Sequence, residues 1–155
     1  MKTEIKHECK ILSSASGELM YIMHLLHGEI EKRLDAVLTK EKGLSLSQYL
    51  VLVGFSSGDG LLSQAKLAEK LRLTEATVSR HIGILVERKL LERKKEAGNR
   101  KSYSLSLTSH GIEIFQNTED LILATIGSFF AVLTTKEQSA VTKELKKVMT
   151  ALEIN

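Results

Sequence analysis

The chain has no proline, no tryptophan and a single cysteine, Cys9, in 155 residues. Proline breaks helices because it lacks a backbone N–H and its ring clashes with the preceding turn, so its absence favours a mostly helical chain. One cysteine cannot close an intramolecular disulfide, which excludes a disulfide framework. Long apolar runs are also missing. The longest, Leu121 to Leu133, spans 13 residues and includes Thr125 and Ser128, short of the roughly 20 that a membrane-spanning helix needs. The first residues form no signal-like apolar segment, so a soluble, cytoplasmic protein with no membrane partner is expected. No glycine-rich phosphate loop, nucleophile elbow or HExxH occurs, and without such constellations neither catalysis nor a cofactor or metal is expected.

Apolar residues make up 43% of the chain and charged residues 26%, ordinary values for one folded domain of this length. The net charge of +3 is modest, but it is unevenly spread. Between Arg88 and Lys101 seven basic residues face two acids, giving +5. The rest of the chain, with 15 basic and 17 acidic residues, carries −2. A local positive excess of this kind suits a phosphate-facing patch.

Apolar positions at 15, 19, 22, 26, 30, 34 and 37 step by three and four, which predicts a long helix from about Ser14 to Thr39. Lys42-Gly43 ends it, with glycine suited to a left-handed cap. A second helix from near Ser45 is apolar on almost every side and should be central. The glycines of SSGDG close it, and Leu61-Leu62 is short enough for one edge strand. Ser63, with Leu62 before it and Leu67 after, is placed as the N-cap of a helix over Gln64 to Leu71. Arg72-Leu73 turns the chain, and Thr74 caps a helix over Glu75 to Lys89. Two short helices joined so tightly form a helix-turn-helix.

After Leu90 the period changes to two. Tyr103, Leu105 and Leu107 share one face of a strand, with Leu91 to Lys95 as its partner and Glu96 to Asn99 as the hairpin tip. Thr108 or Ser109 caps a helix from about His110 to Leu133. Its second apolar face, with Leu123, Phe130 and Ala131, is more than one small domain can cover, which calls for a partner chain. A last helix from about Lys136, capped by Thr134 or Thr135, carries Val141, Leu145, Val148 and Leu152 on one stripe.

Projected at 100° per residue, Val78, Ile82, Leu85 and Val86 of the second motif helix turn inward. Ala76, Thr77 and Arg80 lie opposite, with His81 at the margin. A face that is small at its N-terminal end can enter a major groove closely. Thr77 and Ser79 could bond phosphates or base edges, Ala76 could meet a thymine methyl, and Arg80 could donate twice to guanine. Ser63 and Thr74, at their helix starts, are candidates for the DNA backbone. On the hairpin, Lys94, Lys95, Asn99, Arg100 and Lys101 are candidates for backbone or minor-groove contact. An amphipathic helix beside a solvated charged turn would carry the same residues, and a winged-helix module that binds acidic protein partners is the alternative reading.

These residues resemble a known family. LSLSQYLVL (44–52), LAEKLRLTEATVSRHIGILVERKLLER (67–93) and NRKSYSLSLTSHG (99–111) are similar to the corresponding stretches of the MarR family, the multiple-antibiotic-resistance regulators. The family usually carries Asp-x-Arg at the wing before LT-x-x-G. Asn99-Arg100-Lys101 stands there in this chain, so either Arg100 or Lys101 is the tip residue. The resemblance implies a mainly α fold with a small β-hairpin wing over a single domain, residues 1–155. Residues 43–108 would form the winged helix-turn-helix lobe, and residues 1–42 and 109–155 the dimerisation helices. It further implies a homodimer on a pseudo-palindromic double-stranded DNA operator, and repression relieved by a small-molecule effector. Two recognition helices roughly 34 Å apart read such a site as one alone cannot.

Met20, Tyr21, Met23, His24, His27 and Tyr49 could line an effector cleft, although Met and Tyr on apolar stripes equally suit a core. Redox sensing through Cys9 is an alternative. Metal sensing through His7 and Cys9, or through His24, His27 and Glu31, is another.

Overall fold

A computed structural model of the chain describes residues 13–56, 64–95 and 103–154. Among the described residues six helices and one hairpin follow in order: α1 (Ala15–Lys42), α2 (Leu46–Ser56), α3 (Gln64–Leu71), α4 (Glu75–Glu87), β1 (Leu91–Lys95), β2 (Tyr103–Leu107), α5 (Ser109–Phe130) and α6 (Thr135–Ala151). The mainly α architecture with a small antiparallel hairpin is the one the sequence predicts. Among the described residues no single helix is long and apolar enough to cross a membrane.

Local hydrogen bonds explain where the helices begin. Ser14, Thr74, Thr108 and Thr134 each hold extended backbone and accept from the N–H three residues on, satisfying a donor that the first turn leaves orphaned. At α6 the exchange is reciprocal, because Glu137 reaches back to the Thr134 backbone. α1 ends at Gly43, which takes the left-handed conformation expected of it, φ 62°. α1 runs three residues beyond the expected Thr39. α4 stops at Glu87, short of Lys89, because Arg88 caps it and Lys89 turns left-handed at φ 58°. α5 likewise stops at Phe130, short of Leu133, where the chain bends into α6 at 97°.

Among the described residues two clusters hold the fold. The larger fills the lobe from α2 to β1, with Val51, Leu52, Leu67, Val78, Ile82 and Leu85 fully enclosed. The smaller joins that lobe to the long helices through Leu34, Leu38, Tyr49 and Ile122. The α1 stripe divides: Leu34 is buried and Ile30 packs at its edge, whereas Leu19, Ile22 and Leu26 stand about half exposed. Among the described residues none on α6 is buried.

The hairpin is in plain antiparallel register, pairing Leu91 with Leu107 and Lys95 with Tyr103. Leu91 is enclosed, and Leu105 and Leu107 pack on the lobe core, so the hairpin is seated by its apolar face.

Candidate nucleic-acid interface

The presentation of α4 follows from its sequence. α2, α3 and β1 pack against it, and Val78, Ile82 and Leu85 fill that contact. The turn before it is tight: Arg72 adopts φ 54°, and Leu73 N–H returns to Ala68 O at 2.9 Å. Thr74 then starts α4, its hydroxyl accepting from Thr77 N–H at 3.2 Å. Glu75, Ala76, Ser79 and Arg80 remain exposed on the outer side. After Glu75 come the small side chains Ala76 and Ser79, with the long cation Arg80 one turn beyond Ala76, an arrangement that permits close approach to a groove and then reach into it.

The expected reading residues divide on inspection. Ala76, Ser79 and Arg80 share the exposed side. Thr77 is half-buried, and its hydroxyl already shares a 2.8 Å hydrogen bond with that of Thr74. Any base contact from Thr77 therefore competes with the cap. His81 is a correction: it is only 8% exposed and its Nδ1 is buried without a hydrogen-bond partner. It belongs to the inward side of α4, a helix packed by α2, α3 and β1 rather than by one partner. Burial, with the Arg80 charge beside it, holds the imidazole below its usual pKa, so at neutral pH it is uncharged.

On the hairpin, Lys94 and Lys95 occupy the end of β1, opposite Ser104 and Tyr103, with Arg93 exposed just before them. The candidates Asn99, Arg100 and Lys101, the Ser63 cap, the Leu61-Leu62 strand and the residues His7 and Cys9 lie outside the described residues.

Arg88, counted within the basic segment, points elsewhere. Its guanidinium donates to Gly43 O at 2.7 Å and Lys42 O at 3.2 Å, so this cation closes the C-terminus of α1. The Asp35 carboxylate similarly accepts from Leu46 N–H at 2.7 Å and starts α2. Sequence reasoning missed both roles, since no local spacing links residues 45 and 11 apart.

The effector cleft expected from α1 and α2 is not assembled within one chain. Tyr49 is a core residue, 7% exposed and stacked on Phe115 at 6.0 Å between centroids. Its hydroxyl pKa is raised by burial and by Glu119. Met20, Tyr21, Met23, His24 and His27 lie exposed on the N-terminal half of α1. A cleft of about 460 Å³ does occur elsewhere, between the end of α2, β2 and α5, lined by Phe55, Leu107, Ile112, Phe115 and Glu119 among others. Among the described residues no group of three or more His, Cys, Asp or Glu side chains gathers as a metal site. His27 instead pairs with Glu31 at 3.4 Å.

A buried connecting helix, two helices at a tight turn and a seated basic hairpin define a winged helix-turn-helix protein. Residues 42–102 match the sequence model of the MarR family, so this lobe is similar to that family. Solved structures share the fold over nearly the whole chain. A MarR/EmrR family transcriptional regulator from Acinetobacter sp. ADP1 is 19% identical, with a TM-score of 0.75 over 90% of this chain and 98% of that one. AbsC, a MarR family transcriptional regulator from Streptomyces coelicolor, is 21% identical, with a TM-score of 0.73 over 92% and 97%. MepR of S. aureus, in a complex with DNA, is 22% identical, with a TM-score of 0.71 over 90% and 99%. At these identities the likeness is one of fold. No curated protein matches the chain by sequence.

Proposed function

We propose that this protein is a homodimeric, sequence-specific DNA-binding transcriptional regulator. The observation that carries the reading is the outer side of α4, where Ala76, Ser79 and Arg80 stand exposed beside a hairpin of concentrated positive charge. Arg80 reads a base edge as a bidentate donor, and Ala76 and Ser79 allow the helix to sit deep enough for that contact. The basic residues of the wing, Lys94, Lys95, Arg100 and Lys101, supply attraction to phosphate or to a narrow minor groove. The DNA complex formed by MepR, a protein of the same fold, supports this orientation of the lobe. Pairing rests on the apolar side chains that α1, α5 and α6 leave exposed, among them Leu26, Leu123 and Val148. Regulation takes the form of repression relieved by a small molecule seated between the dimer helices and the lobe.

Selection of bound duplexes from a random pool, followed by titration of the selected duplex at increasing salt, tests this reading. A pseudo-palindromic consensus and a steep fall of affinity with salt are expected. Absence of any preferred duplex at moderate salt refutes it.

A further inference from the structure

We propose that Arg88 is a positioning residue that fixes the angle between the recognition helix and the dimer helices, and so selects the spacing between operator half-sites. The inference rests on the DNA-binding reading above. The C-terminus of α1 presents carbonyls that its own helix cannot pair, together with the negative end of the helix dipole. Gly43 turns left-handed there, and Arg88 grips the Lys42 and Gly43 carbonyls with two different nitrogens, at 3.2 and 2.7 Å. Arg88 is itself the C-cap of α4. One side chain thus joins the ends of two helices that are 45 residues apart in sequence.

The next two residues are fastened to the other long helix. Thr108 donates from its hydroxyl to Lys89 O at 2.6 Å and from its backbone N–H to Leu90 O at 3.1 Å. Gly111 lies so close that a Cβ there would meet Leu90 O at 2.0 Å. The turn from Arg88 to Leu90 is therefore a joint, with α1 held on one side and α5 on the other.

Leverage makes such a joint matter. α4 has 13 residues and so extends about 20 Å from the joint, at 1.5 Å per residue. A tilt of about 10° at Arg88 moves its reading end by roughly 3 Å, close to the 3.4 Å rise of one base pair. An exposed arginine contributes little stability, but a two-point grip restricts angle in a way that a single ammonium cannot.

The test uses the full-length protein and its Arg88→Ala and Arg88→Lys variants, with duplexes carrying the selected half-sites at the preferred spacing and one base pair closer or further apart. The Arg88→Ala preference for the best spacing is expected to fall by about fivefold or more relative to wild type, with an unchanged salt slope, within the range of ordinary site-to-site coupling. Arg88→Lys keeps the charge and loses the fork; it should lose spacing preference in the same direction and decides alone if circular dichroism shows Arg88→Ala unfolded. A smaller change in spacing preference overturns the proposal. So does a fall of the salt slope by about one, which would place Arg88 on a phosphate instead. If wild type prefers no duplex, the DNA-binding reading has failed; if it does and the variants keep its spacing preference, only the positioning role has.

Discussion

Leu67 and Leu26 are both leucines on the apolar stripe of an amphipathic helix. Leu67, in the winged-helix lobe, is fully enclosed by side chains of its own chain, whereas Leu26, in the N-terminal half of α1, is 52% exposed. The contrast extends to their surroundings. α2, α3, α4 and the hairpin close one cluster around Leu67, while Leu19, Ile22, Leu123, Val141 and Val148 on the long helices remain exposed like Leu26. Periodicity states which residues seek burial and is silent on what buries them. The lobe satisfies its stripe within the chain; the outer helices present theirs outward, at an energetic disadvantage that a second copy would remove.

Truncating each leucine tests that contrast, and the largest effect belongs to the lobe. Leu67→Ala should lower the unfolding free energy by about 2–5 kcal/mol, the loss of transfer energy plus a cavity, and by the same amount at every protein concentration. Denaturant titration at two concentrations measures this; a loss well under 1 kcal/mol would mean that the lobe core is not closed as described. Leu26→Asp should instead leave helix content intact while shifting the protein to monomer by sedimentation. Its operator affinity should fall about 100-fold through lost bivalency. An unaltered dimer would move the pairing surface away from α1.

The same contrast marks what could be read in the sequence. The helix start at Thr74 and the stop at Gly43 were legible because capping is decided within three or four residues, and the same local chemistry narrowed the starts of α5 and α6 to two neighbouring residues each, of which Thr108 and Thr134 are the caps. The hairpin was legible because its period is two and its register follows from the apolar face. His81 was misplaced, since a helical projection knows only one inward direction and α4 is packed from two sides. Leu38, fully enclosed, lay one position beyond the stripe that ended at 37, where α2 and α5 close around α1. The bonds of Arg88 and Asp35 were invisible, being set by how α1 meets α4 and α2 in space. Of the expected effector-cleft residues, Tyr49 is enclosed in the core while Met20, Tyr21, Met23, His24 and His27 stand exposed on α1, a division that helical spacing alone does not set.

Within the lobe, two exposed arginines should separate reading from attraction. Arg80→Ala should cost about 1–3 kcal/mol on the selected duplex and much less on an unrelated one, reducing discrimination. Arg93→Ala, on the wing strand, should weaken all duplexes alike and reduce the salt slope by about one. Competition anisotropy on both duplexes at several salt concentrations resolves the two patterns. Equal loss on both duplexes for Arg80→Ala would remove it from base recognition.

The smallest effect comes from His81, where the lobe's own closure has a consequence for acid stability. The folded chain holds this imidazole neutral, because burial first and the Arg80 charge second depress its pKa. The unfolded chain titrates near the ordinary value of about 6.5. Below that pH the unfolded state therefore binds a proton that the folded state refuses, and stability declines as pH drops from about 6.5 toward the folded-state pKa, then levels off. Above about pH 7 the group contributes no slope. His81→Leu, which fills a similar volume without a titrating nitrogen, should flatten that part of the profile and remove an unpartnered Nδ1 from the interior. Thermal melts of wild type and variant from pH 7.5 to 5 give the comparison, and parallel pH profiles would show that His81 takes its proton freely in the folded chain, contrary to its enclosure between α4 and its neighbours.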